Sequence, residues 1–350
     1  MSVDSRDVQG VKCSVSAPWI TVADLVRQQE IALGPKVAAT FHESGAELTY
    51  SQLAVQARSL GAGLREIGVK AGDRVGAVLS NCPEALITWA ACAELGAIYC
   101  PLNTSLGSDD LRHVLREIEP KVLLIETGLD TALLNCVVVT VGPAGEDRHL
   151  PFTSLMRNAE TFVPAEVAPS DPSVLILTGG TTGLPKAVVR THFSLMCGAV
   201  RYLAMLEVRA DDGQLVNGQL FHSAAQESGF IGPLMAGIPA HWTAKFSTGA
   251  FWARARATGA TLTDLGGAVL MFLLAQECSS HDGDHLLRAA ICATHGVTDE
   301  ARQQFKVRFG IAHLCEVFAM SETGMFLFHN SVSHTRKGSV GHARGWCETR

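Results

Sequence analysis

Apolar residues along this chain alternate between helical spacing and short unbroken runs. LTYSQLAVQARSLGAGLREIG (48–68) places apolar positions three and four residues apart and stops at Gly68, which predicts an amphipathic helix. RVGAVLS (74–80), introduced by the turn signal KAGD, reads as a short strand. ALITWAACAELGA is helical again, and DDLRHVLREIEP (109–120) is an amphipathic helix ended by Pro120. KVLLIE (121–126) and VVVTVG (137–142) read as buried strands. The second half repeats the alternation with VLIL, AVVRT, a helix from about His192 to Leu206, WARARATGATLTDL and AVLMFLLAQ. Strands alternating with helices predict an α/β fold of βαβ units, with mostly parallel sheets sandwiched by helices.

TFVPAEVAPSDPS (161–173), with three prolines, marks a junction between a first α/β subdomain, 1–165, and a second, 166–350. No fixed-period repeat or low-complexity tract interrupts the pattern.

Composition narrows the functions. Hydrophobic residues make up 47% and charged residues 18% of 350 positions, ordinary for a globular protein. A net charge of −6 without a basic patch argues against a nucleic-acid role. The N-terminus MSVDSRDVQGVK lacks the charged and apolar regions of a signal peptide. ALITWAACAELGAIYCPL (85–102) contains Glu94 and is too short and mixed to span a bilayer. Ten cysteines are scattered without a CxxC pair, as expected of free thiols in a cytoplasmic protein.

One stretch carries candidate chemistry. LTGGTTGLPK (177–186) follows the apolar run VLIL. Gly179, Gly180 and Gly183 allow close backbone approach to a ligand, and successive amides can form an anion-binding nest. Thr178, Thr181 and Thr182 add hydroxyls, and Lys186 adds a compact positive charge stiffened by Pro185. The inventory suits polyphosphate. The spacing does not match GxxxxGK[ST], because Leu184 and Pro185 separate glycine from lysine. On composition alone, a glycine-rich turn without a ligand accounts for it equally well.

TGGTTGLPKAVVRTH (178–192) resembles the phosphate loop of the adenylate-forming superfamily of acyl-CoA synthetases and related ligases. Further blocks follow in the family's order. The 48–81 stretch with its GDRV turn, LGAIYCPLN (95–103), QLFHSAAQ (219–226), FAMSETG (318–324) and KGSVGHARG (337–345) are each similar to one. The resemblance covers 20–345, and FWARARATGATLTDL looks most like the carnitine and medium-chain acyl-CoA ligases.

The resemblance implies ATP-dependent activation of a carboxylic acid as acyl-AMP, then thioester formation with CoA. It assigns residues 178–183 and Lys186 to the phosphates and Glu322 to Mg²⁺. Ser321 falls to the α-phosphate, Phe318 to the adenine face and Glu316 to the adenine edge, though a plain strand-end glutamate fits Glu316 as well. His222 would line the acyl pocket near the reacting carboxylate; a half-buried structural histidine is the alternative. His192 reads as a cap for the helix that follows, and Arg190 either as an anion partner or as an exposed strand end.

The acyl pocket would draw on 222–230, 264–272 and 293–297, with Gly229, Gly267, His295 and Gly296 lining it. Gly229, Gly266, Gly267 and Ala268 imply room for a medium or bulky apolar acid. Ala293 and Thr294 replace family glycines, Gln219 and Ala343 replace prolines, and Phe318 and Ser321 replace tyrosine and threonine. The family's small C-terminal domain, with its catalytic lysine, is not among the 350 residues. The chain is therefore expected to adenylate slowly and to transfer to CoA hardly at all. Expected partners are the acid, its acyl-adenylate and CoA or a carrier-protein thiol; no nucleic acid or membrane is expected, and a homodimer stays open. Two other readings remain: a ligase that accepts a preformed acyl-adenylate, and a catalytically silent ligand-binding homologue.

Overall fold

The computed structural model describes residues 20–126, 135–142, 148–178, 186–293, 296–336 and 338–343. Helix α1 (Val22–Leu33) opens on a capping box in which Thr21 and Asp24 satisfy each other's amides. Strands β1 (Val37–Phe41) and β2 (Ala46–Thr49) form a hairpin, and Thr49 and Gln52 repeat the capping box at α2 (Tyr50–Glu66). Strand β3 (Arg74–Val78), helix α3 (Pro83–Leu95) and strand β4 (Ile98–Pro101) make a βαβ unit with parallel strands. Helix α4 (Ser108–Ile118) and strands β5 (Val122–Ile125), β6 (Val137–Thr140) and β7 (Leu150–Pro151) extend it. Strands β8 (Pro172–Thr178) and β9 (Lys186–Thr191) are antiparallel and pair Thr178 with Lys186 across the glycine-rich bend.

The second half begins with α5 (His192–Leu206) and β10 (Gln214–Val216). A short helix, α6 (Ser223–Ala225), runs through a π-helical stretch, Gln226–Ile231, into α7 (Gly232–Ala236). Strand β11 (Ala240–Trp242), helix α8 (Phe251–Thr258), strand β12 (Leu262–Leu265) and helix α9 (Gly267–Leu274) follow. Strand β13 (Ala289–Ala293), helix α10 (Asp299–Phe309) and strands β14 (His313–Met320), β15 (Gly324–His329) and β16 (His342–Ala343) complete the described chain.

The strands form two sheets, ordered β7-β6-β5-β3-β4-β8-β9 and β16-β15-β14-β13-β12-β10-β11-β1-β2. The first is parallel except for the β8–β9 pair. The second is parallel from β1 to β14, with antiparallel pairs at both edges. Mixed α/β architecture with mostly parallel sheets is thus as expected. The strands interleave across residue 165, however. β1 and β2 lie in the nine-stranded sheet, while β8 and β9 close the seven-stranded one.

The largest apolar cluster joins inner faces of both sheets, through Val75, Tyr99, Val216 and Trp242, to α1, α2, α3, α5 and α7. Two further clusters cover the outer faces, one with α4 and one with α8, α9 and α10. Helix α3 is buried from Ala85 to Leu95, which explains its uniformly apolar sequence. Its Glu94 is compensated by Arg27 at 2.6 Å. Among the described residues no helix is long and apolar enough to cross a membrane. The described cysteines are free thiols.

Candidate functional site

In parallel sheets, ligands gather where strands end at their carboxyl edges, because loops there are free to vary. Strand β8 ends at the glycine-rich bend, and β14 ends at a 3-10 turn, Ser321–Thr323. That turn packs against β9, the strand by which the chain leaves the bend. Lys186 and Glu322 are both exposed at this junction. Among the described residues Glu322 enters no ion pair, which leaves its carboxylate available. Gly179, Gly180, Thr181, Thr182 and Gly183 lie outside the described residues, as does His295. The Thr178 hydroxyl donates to the Lys186 carbonyl at 3.4 Å, holding the two ends of the bend together.

His222 precedes α6, and its neighbour Ser223 lies 2.8 Å, hydroxyl to hydroxyl, from Ser321. That contact fastens the histidine segment to the turn bearing Glu322. The His222 ring packs on Phe221 with ring centroids 4.4 Å apart. Desolvation by the surrounding protein lowers its pKa, which favours the neutral imidazole. Asn81, buried after β3, supports the same segment from the other sheet. Its amide donates to the Gly218 and Thr243 carbonyls, and its carbonyl accepts from the Leu220 amide.

On β14, Phe318 is 47% exposed, with its ring against Phe328 at 6.3 Å. Such an aromatic face at a strand end offers a platform for a flat base. Glu316 is already engaged, by Arg302 at 2.7 Å and by Asn330. Burial raises its pKa, and the Arg302 charge opposes that rise.

Beneath the junction lies an ion pair that the sequence reading left open. Arg190 is not an exposed strand end: it is buried and donates to Glu227 at 2.5 Å and to the Ser194 hydroxyl at 3.0 Å. Glu227 sits in the π-helical stretch, against Gly198 of α5. A Cβ there would come within 1.8 Å of the carboxylate, so only glycine admits it. Gly324, next to the Glu322 turn, lies over the guanidinium groups of both Arg190 and Arg201.

Two expectations change. His192 does not cap α5; Thr191 does, accepting from the Ser194 amide, while the buried His192 ring accepts the Val22 amide at 3.1 Å. Gly229 does not open the acyl pocket. A Cβ there would approach Trp242 and Val216 to 2.8 Å, so its smallness serves packing. Gly267 is the first residue of α9, and at its neighbour Gly266 a Cβ would meet nothing within 4 Å. Gly296, at φ +76°, is likewise open.

Ser223, Glu227 and Asp264 fall inside the segments 222–230 and 264–272 expected at the pocket but were not singled out there, and Asn81 lies outside them. Only Glu227 and Asp264 carry a signal, each being an acid inside an apolar stretch. Among the described residues no group of three or more His, Cys, Asp or Glu is placed to hold a metal ion. A Mg²⁺ ion at Glu322 would therefore take its remaining ligands from phosphate oxygens and water, a usual shell for this ion.

A bend ending in lysine, an available carboxylate, an aromatic face and a histidine segment converge on one edge of an α/β fold. The AMP-binding enzyme family model matches residues 28–350, and the chain belongs to that family. Crotonobetaine/carnitine–CoA ligase of Escherichia coli O139:H28 is 27% identical over 295 residues, covering 80% of this chain. The same enzyme of Shigella sonnei is also 27% identical over 295 residues, with the same coverage of this chain. The chain spans 56% of the length of each of these curated relatives. The fold matches that of the anthranilate CoA ligase AuaEII bound to anthranoyl-AMP, with a TM-score of 0.85 at 20% identity. That match covers 95% of this chain and 66% of the other. A benzoate CoA ligase from Burkholderia xenovorans LB400 matches with a TM-score of 0.80 at 20% identity, covering 93% of this chain and 66% of that one.

Proposed function

We infer that the chain is the nucleotide- and acid-binding part of an ATP-dependent acid–thiol ligase. In the reaction, a carboxylate oxygen attacks the α-phosphorus of ATP and pyrophosphate leaves, giving acyl-AMP. A CoA thiolate then attacks the acyl carbon, AMP leaves and the thioester forms. Both partners of the first step are anionic, so catalysis consists chiefly of charge neutralisation and in-line positioning.

The supporting observation is the packing of the Glu322 turn on β9, with His222 fastened to it through Ser223 and Ser321. In this reading Lys186 and the bend hold the β- and γ-phosphates, and Ser321 reaches the α-phosphate. Phe318 stacks on adenine, Glu322 ligates Mg²⁺, and neutral His222 lies beside the acid's carboxylate. Mg²⁺, when bound, neutralises charge on the phosphate oxygens. Glu316, held by Arg302, is left out of this set of contacts.

A thermal-shift panel of non-hydrolysable acyl-adenylate analogues tests the site, since a ligand that binds only the folded state raises the melting temperature. Stabilisation by acyl-adenylates beyond that by AMP is expected, and a flat panel would contradict the assignment. ATP–pyrophosphate exchange separates a ligase that makes its own acyl-adenylate from one that accepts it preformed.

A further inference from the structure

Asp264 stands near the carboxyl end of β12 among buried Leu262, Thr263 and Leu265. Its registered neighbour on β13 is buried Ile291. The carboxylate lies toward the segment that leads to His222. Its Oδ2 is 3.2 Å from the point a Cβ on Gly218 would occupy, and the Ala225 Cβ is 3.0 Å from that same point. Asp264, Gly218 and the helical turn after His222 therefore meet in one place. At the end of the strand, Gly266 borders open space.

The groups that stabilise this carboxylate are neutral donors: the backbone amides of Asn217, Asp264 and Gly218, and the Gln214 side chain. Its Oδ1 is shielded from solvent without a hydrogen-bond partner. Burial raises its pKa to about 6, so the group is still mainly ionised at neutral pH. An anion against Ile291 with an unsatisfied oxygen is destabilising unless something supplies the missing partner.

We propose that Asp264 recognises a cationic amino group on the acid activated at this site, so that the substrate is a zwitterionic carboxylic acid rather than a plain apolar one. The inference rests on the ligase reading above. His222 would stand beside the reacting carboxylate, and Asp264 would receive the other end of the molecule. An apolar acid of equal length would desolvate Asp264 without pairing it, and that penalty supplies the discrimination.

The test uses sulfamoyl-adenosine analogues in matched pairs: 3-aminopropanoyl against butanoyl, 4-aminobutanoyl against pentanoyl, and 6-aminohexanoyl against heptanoyl. Calorimetric titration of the 350-residue chain is expected to favour the cationic member of at least one pair by about tenfold or more. Asp264→Asn keeps an acceptor oxygen but loses the charge, and should bring that pair to near-equal affinity. Tight binding without a cationic preference in any pair overturns this inference alone, and that comparison needs no variant. A preference that survives in Asp264→Asn overturns it as well. Failure of all six analogues to bind overturns the ligase reading, and this inference with it.

Discussion

The hydroxyls of Ser223 and Ser321 meet at 2.8 Å, joining the turn after His222 to the turn that carries Glu322. These residues are far apart in sequence, so the bond reports whether the two halves of the site are assembled. A neutral hydrogen bond of this kind contributes about 0.5–1.5 kcal/mol net. Ser223→Ala, Ser321→Ala and the double variant should therefore show a coupling of about that size in denaturant unfolding. Additive losses would mean that the serines act independently.

The Arg190–Glu227 pair predicts asymmetric stability effects. Removing one member takes a 2.5 Å partner from a buried charge, so Arg190→Ala or Glu227→Leu should cost about 3–5 kcal/mol. Arg190→Met combined with Glu227→Leu replaces both charges with apolar groups of similar volume and should recover much of that loss. Urea unfolding of the three variants checks this; a double variant as weak as the sum of the singles would refute it.

Glycine substitutions separate packing from open space. Gly229→Ala places a methyl group 2.8 Å from Trp242 and Val216, and should cost about 1–3 kcal/mol through overpacking. Gly266→Ala meets nothing within 4 Å and should change stability by no more than about 0.5 kcal/mol. Thermal melts of the two proteins report the difference directly.

Acid sensitivity follows from buried histidines. Burial lowers the pKa values of His192 and His241 to about 4, from 6.5. Between those limits the unfolded chain binds more protons, so this stabilisation is complete above pH 6.5 and is lost as pH falls through 4. Asp264 acts in the opposite sense, because its pKa rises from 3.8 to about 6 and its proton favours the folded state over that range. Two histidines outweigh one aspartate, so the melting temperature should fall from pH 6.5 to 4. His192→Gln, which keeps an acceptor for the Val22 amide, should flatten that slope.

The alternation of apolar runs and helical stretches was enough to place α2 to α5 and β3, β5 and β6, because each carries in its own residues the apolar spacing or unbroken run that it buries. The interleaving of the sheets was not legible. The return of β1 and β2 to the second sheet depends on long-range pairing with β11, which no local pattern encodes. The same limit applies at the site. Lys186, Glu322 and His222 stood out because each lies in a recognisable local block. Arg190 with Glu227 and Ser223 with Ser321 became visible only when distant segments were brought together. Gly229 shows the converse error: a small residue can make room for a neighbouring tryptophan instead of a ligand.

A phosphate site shared by Lys186 and Glu322 is tested most directly by calorimetric titration of Mg·ATP into the chain and into Lys186→Ala and Glu322→Gln. Saturable binding to the unsubstituted chain is expected, weakened about tenfold or more in either variant. Excess Mg²⁺ should also strengthen binding to the unsubstituted chain but not to Glu322→Gln. Absence of binding to the unsubstituted chain, or equal affinity in all three, would contradict a shared phosphate site between the bend and Glu322.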